Sequence, residues 1–439
     1  MGLRILLVSD DYAPFIGGAH RQTQLLAHEL QRRGHTVNVI TVWSGGLLEE
    51  EDDDGVQVYR LKQFRTWLPW LVRDETQRHQ TPFPDPITTY ELRRIIKHFR
   101  PDVVHTYGWF SYSCAAALLG MNIPLLMSAR DYGYSCATRT MVCRGMEVCT
   151  GPSLWKCLDC ATNLYGTPKG WIATLGVSTG RRLLKRKVTG IHSISTYVRD
   201  ITRRDFLQDQ MRTGNGQAVS EAIIPSFRED DTNRHISVDP GNQEYLNQLP
   251  SEKYILYVGA LRRVKGVNQL LEAYTRLASP PPLVLIGTRE ADSPREFPRG
   301  VLVLQSFPHR AVMAAWDRCL FGVFPSLWPE PLGSVVYEGM SRGKAVIGTT
   351  PGGHMDMIVD GETGLLVPSG DVDALTQAMT RLIEQNELRE RLGAAARERA
   401  KLFTASVAVP QFERFYQLLI DKSAGQATRE RDTEVLDRV

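Results

Sequence analysis

Two glutamates eight positions apart stand in Trp328-Pro329-Glu330-Pro331-Leu332-Gly333-Ser334-Val335-Val336-Tyr337-Glu338-Gly339-Met340. The pattern puts Glu330 in a loop and Glu338 one to two turns into the helix that follows. Gly333-Ser334 would start that helix, where unpaired amides and the helix dipole make an anion site. A diphosphate held by the amides, with a carboxylate on either side, is what a nucleotide-sugar needs. One carboxylate would take sugar hydroxyls and the other ribose hydroxyls. For the two glutamates alone, the plain alternative is a solvated helix face.

Other chemistry-bearing residues sit at strand exits. Gly17-Gly18 follows a first strand and lets backbone approach a phosphate or sugar, although an ordinary turn explains it too. Gly259 to Gly266 follows the first strand of the second half. Neither loop carries the G-x-G-x-x-G spacing of dinucleotide binding, which argues against NAD-linked redox chemistry. His105 ends a strand where it would face a cleft, and a structural hydrogen bond explains it equally. Five of the seven cysteines crowd together: Cys136, Cys143, Cys149, Cys157 and Cys160. Cys157-x2-Cys160 has metal-knuckle spacing, and two more thiolates would complete a tetrahedral zinc site. Free buried thiols and an iron–sulfur cluster are the alternatives.

These groups need a scaffold. The chain has 439 residues, which suits two domains of about 200 residues each. Its 42% apolar and 23% charged residues are those of a globular protein, and a net charge of +3 gives no argument for nucleic acid. The N-terminus reads as a strand rather than a signal peptide, and no run of 18 apolar residues occurs. A cytoplasmic protein is expected, with membrane contact at the inner face an option. Aromatics among arginines in Phe64 to Arg73 suit an interface, and Arg181, Arg182, Lys185, Arg186 and Lys187 form a basic stripe.

Strands are expected at Arg4 to Ser9, His35 to Thr41, Val56 to Leu61, Pro101 to His105 and Pro124 to Ser128. The acidic run Glu49 to Asp54 reads as a solvated loop. A helix face at Thr23, Leu26, Ala27 and Leu30 separates the first two strands. The pattern restarts at Tyr254 to Val258 and continues at Pro282 to Gly287, Val301 to Leu304 and Phe321 to Pro325. Alternating strands and helices imply α/β domains with parallel sheets. The expected division is 1–225, 226–420 and a charged tail 421–439.

The glutamate segment resembles the E-x7-E motif of glycosyltransferase family 4. Gly259 to Gly266 resembles that family's G-R-L-x-x-x-K-G motif, and Asp360 to Pro368 resembles its D-G-x-x-G-x-L-V motif. The resemblance spans Arg4 to about Tyr416. It implies the GT-B fold: two Rossmann-like, doubly wound parallel-sheet domains facing across a cleft, the first for acceptor and the second for donor. It implies a retaining, metal-independent transfer from a nucleotide diphosphate-sugar to a hydroxyl acceptor, such as a glycan, glycolipid or small molecule. Glu330 resembles the residue holding donor-sugar hydroxyls, and Glu338 the ribose binder. Lys265 resembles the lysine that neutralises the leaving diphosphate, and Leu332, Gly333 and Ser334 flank the helix start beneath it.

Two positions depart from the pattern. Ala260 replaces an arginine, for which Arg262 or Arg263 is a candidate substitute. Met127 to Tyr132 resembles a T-L-H-D-Y segment, with Arg130 in place of the histidine and Asp131 retained. An arginine cannot serve as a base, but it can hold a phosphate or an acidic acceptor. The cysteine run resembles a subset of the family in which cysteines follow this segment, matched by Cys136, Cys149, Cys157 and Cys160. The rival readings are a sugar-nucleotide 2-epimerase on the same fold and a non-catalytic nucleotide-sugar binder.

Overall fold

The computed structural model describes residues 2–10, 12–14, 18–64, 80–144, 147–207, 219–230 and 243–436. The chain divides into two compact units, Met1–Arg228 with Ala405–Val439, and Glu229–Thr404.

The first unit is built on strands β1 (Arg4–Val8), β2 (Thr36–Val42), β3 (Glu50–Asp53), β4 (Val56–Leu61), β5 (Val103–Tyr107), β6 (Leu125–Ala129), β9 (Val188–Ser193) and β10 (Ser220–Ile223). A two-stranded ribbon, β7 (Val142–Cys143) and β8 (Glu147–Val148), stands apart. The main sheet runs β10-β9-β6-β5-β1-β2-β4-β3. All neighbours pair parallel except β3 with β4. β5 is buried at every residue, as a parallel strand covered on both faces must be. From β1 the chain adds strands on one side, then returns to place β5 on the other, so a topological switch point lies between β1 and β5.

The acidic run is a strand, not the solvated loop expected. It lies at the sheet edge, where charge deters further pairing. Its carboxylates are matched from neighbouring elements: Glu51 by Arg60 at 2.5 Å, Glu49 by Lys62, and Asp53 by the Tyr12 hydroxyl at 2.7 Å.

The second unit carries β11 (Ile255–Val258), β12 (Leu283–Ile286), β13 (Val301–Leu304), β14 (Phe321–Val323), β15 (Ala345–Thr350) and β16 (Leu365–Pro368). The order is β13-β12-β11-β14-β15-β16, wholly parallel. Its switch point lies between β11 and β14. Apolar faces of the helices Val267–Thr275 and Val372–Glu384 close the core through Leu270, Leu271, Leu375 and Leu382.

The chain leaves the first unit within three residues of the expected boundary, but it returns at Ala405, not at 420. The helix Ala405–Leu436 belongs to the first unit. Phe412, Phe415, Tyr416 and Leu419 join the same core as Ile5, Leu26 and Val103. The expected tail therefore begins inside a packed helix: Lys422 bonds Ser220, Asn122 bonds the Ser423 carbonyl, and Ser423 is buried. The Ala405 amide donates to the Arg228 carbonyl at 2.8 Å, tying the two crossings together. No helix among the described residues is long and apolar enough to cross a membrane.

Candidate active site

In the second unit the chemistry-bearing residues gather at the carboxyl ends of β11, β14 and β15, three adjacent strands at the switch point. The loop after β11 ends in a short turn, Arg263–Lys265, which delivers Lys265. The loop after β14 delivers Glu330. Lys265 Nζ donates to Glu330 Oε1 at 2.6 Å, and Ser326 Oγ donates to Oε2 at 3.3 Å. Lys265 also sits over the Trp328 ring, 4.9 Å from its centroid. Glu330 is buried and Lys265 about a quarter exposed, so the pair is desolvated on one side and open on the other.

The helix Ser334–Ser341 starts beside this pair with no side-chain cap. Gly333, at φ 83°, turns the chain into it. A Cβ there would lie 2.8 Å from His354 Nε2, so the turn and the histidine share one space. His354 Nδ1 accepts the Thr349 amide at 3.0 Å, which leaves the ring proton on Nε2. Burial lowers the His354 pKa to about 4, so the ring is neutral at neutral pH. The Gly353 amide donates to the Glu330 carbonyl at 2.6 Å. A Cβ on Gly353 would come within 2.1 Å of the Pro331 oxygen, so only glycine lets the turn after β15 press on the Glu330 loop.

Glu338 lies in the same helix, with Oε1 3.1 Å from His309 Nε2. Leu332 is buried beneath the helix start, and Ser334 is half-buried. The expected donor residues Lys265, Glu330, Leu332, Gly333, Ser334 and Glu338 thus occupy one region. Arg262 is tethered outward to Asp292 at 3.5 Å and remains half-exposed. The Ala260 carbonyl accepts the Tyr257 hydroxyl. Sequence reasoning missed Ser326, Trp328, His354 and His309. Trp328 and His354 lay inside the quoted motifs and their neighbours, but His309 stands 29 residues from its partner with no local signal.

In the first unit His105 does not face a cleft. It is fully buried on β5, with Nδ1 2.7 Å from the Tyr416 hydroxyl and Nε2 2.6 Å from Ser128 Oγ. Ser128 continues to His192 Nδ1 at 2.6 Å, and His192 Nε2 reaches the Ile224 carbonyl at 2.7 Å. The carbonyl can only accept, so His192 Nε2 carries its proton and Nδ1 takes the serine's. Ser128 in turn accepts from His105 Nε2, and His105 Nδ1 accepts from tyrosine. Every member is satisfied with both rings neutral. Burial accordingly pushes His105 well below its ordinary pKa and His192 to about 4. This is a core brace, and His105, expected at the acceptor side, is buried with both ring nitrogens engaged.

Arg130 lies over the Tyr107 ring at 5.6 Å and lines a small hollow with Gln22, His192 and Phe227. Asp131 fastens its own loop, accepting from Arg139 Nε at 2.8 Å and from the Gly133 amide at 2.7 Å. Gly18 is the first residue of the helix Gly18–Arg32, while Gly17 and residues 65–73 of the aromatic–basic run lie outside the described residues. All seven cysteines are free thiols, and Cys136, Cys143, Cys149, Cys157 and Cys160 line one cavity. Among the described residues no three His, Cys, Asp or Glu side chains form a ready metal-binding group.

Comparison with known proteins places these features in a family. Residues 242–399 match the family described as "Glycosyl transferases group 1", and residues 17–213 match "Glycosyl transferase 4-like domain". An uncharacterized glycosyltransferase of Methanocaldococcus jannaschii is 30% identical over 284 residues, 60% of this chain and 76% of that one. A capsular polysaccharide biosynthesis glycosyltransferase of Staphylococcus aureus is 26% identical over 196 residues, 42% of this chain; the match spans only about half, 51%, of that relative. Among solved structures, a sucrose-phosphate synthase from Thermosynechococcus elongatus superposes with a TM-score of 0.71 at 18% identity, over 95% of this chain and 99% of that one. HepE of Anabaena, solved with UDP and glucose, superposes at 0.64 and 17%, over 94% and 99%.

Proposed function

This chain belongs to the GT-B glycosyltransferases, and we propose that it transfers a glycosyl group, with retention, from a nucleoside diphosphate-sugar to a hydroxyl acceptor. The observation that carries the reading is the Lys265–Glu330 pair beside an uncapped helix start at the switch point of the second unit. A fold neighbour solved with UDP and glucose supports a nucleoside diphosphate donor.

In this reading a diphosphate binds over the amides at Ser334 and draws the Lys265 ammonium toward it. Glu330, released from part of that ion pair, accepts hydrogen bonds from donor-sugar hydroxyls. Glu338 does the same for the ribose. As the bond from the anomeric carbon to the diphosphate breaks, charge grows on the leaving oxygen, where Lys265 and the helix amides stabilise it most. The acceptor oxygen bonds to the same face of the sugar. Its proton passes to the departing phosphate oxygen, because His354, whose Nδ1 already accepts the Thr349 amide and whose Nε2 carries a hydrogen, has no lone pair left to take it. The chemistry so described needs no divalent metal.

Thermal shift with UDP, ADP and GDP and their sugars tests donor binding. A nucleotide at a hundred times its dissociation constant adds about 2.7 kcal/mol to stability. No shift with any of them would remove the donor site. Proton NMR of the product then reads the anomeric configuration. An inverted product would refute retention. Release of an epimerised sugar without acceptor would favour a 2-epimerase instead, and binding without turnover a sensor.

A further inference from the structure

The helices Leu154–Tyr165 and Lys169–Lys187 form a hairpin in the first unit. They meet closely at Gly170, where a Cβ would stand 2.5 Å from the Thr162 amide. Their outer surface is rich in apolar side chains. Leu154, Trp155, Leu164, Trp171, Ile172 and Leu175 are all exposed, Trp155 by 76% and Trp171 by 49%. Along the second helix, positions 171, 175, 179, 182 and 186 are spaced by three or four and share one face. That face reads Trp171, Leu175, Thr179, Arg182, Arg186: apolar at its start and basic at its end, all exposed.

The charge agrees. Leu154 to Lys187 holds seven Lys and Arg against the single Asp159, a net +6, while the whole chain carries +3. The basic stripe expected from the sequence is narrower than it looked. Arg181 donates inward to the Tyr134 and Ser135 carbonyls, Lys187 to the Met121 carbonyl, and Lys185 lies over Phe206. Arg182 and Arg186 remain on the surface. The acidic residue of the first helix, Asp159, is matched by Arg144.

We propose that this hairpin docks the protein on an anionic bilayer surface. Trp155, Trp171, Ile172 and Leu175 enter the headgroup region, and Arg182 and Arg186 meet lipid phosphates. Tryptophan suits that depth because its ring is apolar and its N–H polar. Two arginines beside an apolar tip give the charge complementarity that a neutral protein partner would not need. The inference does not depend on the glycosyl-transfer reading.

Full-length protein is sedimented with vesicles of phosphatidylcholine alone and of phosphatidylcholine with an equal part of phosphatidylglycerol. Binding is expected to the anionic vesicles, to weaken with added salt and to shift tryptophan emission to the blue. Trp155→Ser with Trp171→Ser should lower partitioning at least tenfold. Arg182→Gln with Arg186→Gln should lower it about fivefold per arginine on anionic vesicles only. All four side chains are exposed, so thermal midpoints should not move. Failure of the wild type to bind anionic vesicles, or binding indifferent to both double variants, overturns the proposal. Self-association that is lost in the tryptophan variant, without vesicle binding, would name a second copy of the chain as the occupant and overturn it too.

The cysteine cavity carries an independent inference. The Ser153 amide donates to Cys157 Sγ and the Arg144 amide to Cys160 Sγ, each at 3.4 Å, which is how thiolates are supported around a metal. The loop feeding them has little regular structure beyond the ribbon β7–β8. Three of its non-glycine residues, Arg139, Met141 and Arg144, hold left-handed backbone at φ 64°, 54° and 49°. Cys136, Cys149, Cys157 and Cys160 line that cavity together with Cys143.

We infer that Cys136, Cys149, Cys157 and Cys160 close on one structural zinc ion, the loop drawing its sulfurs inward on binding. Elemental analysis of protein purified without added metal should give close to one zinc per chain. Cys157→Ser with Cys160→Ser should lose it, and Cys143→Ser should keep it. Absence of zinc with all thiols open to a labelling reagent, iron in its place, or loss of metal in Cys143→Ser would each overturn the assignment.

Discussion

Replacing Lys265 by methionine strands a buried carboxylate. The Lys265–Glu330 contact is 2.6 Å long, with side chains 27% and 10% exposed. Breaking a fully buried pair costs about 3–5 kcal/mol, and an exposed one about 0–1 kcal/mol. A pair buried on the glutamate side and partly open on the lysine side falls between, at about 2 kcal/mol. For a unit the size of Glu229–Thr404 that lowers the thermal midpoint by roughly 4–8 °C. Adding Glu330→Gln removes the stranded charge and should recover most of the loss, since an amide can still pair with Ser326. Turnover should behave differently. Losing the group that meets the leaving diphosphate should cost about 10²–10³ in kcat, and the second substitution cannot restore it. Scanning calorimetry on wild type, both single variants and the double, with initial rates on the same samples, separates the two effects. A double variant as unstable as Lys265→Met would refute the claim that the pair is a desolvated unit. Full turnover in Lys265→Met would refute its role at the leaving group.

Glu338→Ala should weaken donor affinity about ten- to a hundredfold, the worth of a charged hydrogen bond of roughly 1.5–3 kcal/mol; unchanged affinity by calorimetry would move the ribose elsewhere. Gly333→Ala forces a side chain onto left-handed backbone and to within 2.8 Å of the His354 ring, so nucleotide-dependent thermal stabilisation should disappear while the first unit's own transition stays put. Acid should destabilise both units above pH 4. Burial holds His192 and His354 near pKa 4 against an ordinary 6.5, so between those values the unfolded chain binds more protons. The stability they contribute is complete above pH 6.5 and is lost as pH falls toward 4, at about 1.4 kcal/mol per pH unit for each ring. Because His105 is depressed in the same core as His192, the first unit should lose stability faster than the second; midpoints unchanged from pH 7 to 5 would count against both buried neutral rings.

The clustering of Lys265, Glu330, Gly333 and Glu338 was legible because most of it is local. Glu330, Gly333 and Glu338 fall within nine consecutive residues, and a strand, turn and helix in sequence suffice to aim them. Lys265 joins them from a similar unit one sheet position away. What stayed hidden depends on partners far along the chain. The edge strand Glu50–Asp53 has no apolar alternation, and partners from other elements, Arg60, Tyr12, Gln24 and His28, hold its carboxylates. His105 looked free to act because Tyr416, which claims its Nδ1, lies 311 residues later. The last helix showed its apolar face clearly, yet periodicity says nothing about which of two sheets that face will cover.

That last helix also bears on the order in which the protein can be finished. A chain emerging from the ribosome presents the strands of the first unit early, but Phe412, Tyr416 and Leu419, which complete their core, arrive only after the entire second unit has been made. Until then the apolar floor around Ile5 and Leu26 is uncovered, and His105 lacks its tyrosine. The half synthesised first is therefore the half that matures last, and a nascent chain stalled before residue 405 would carry a second unit nearly complete and a first unit still unfinished.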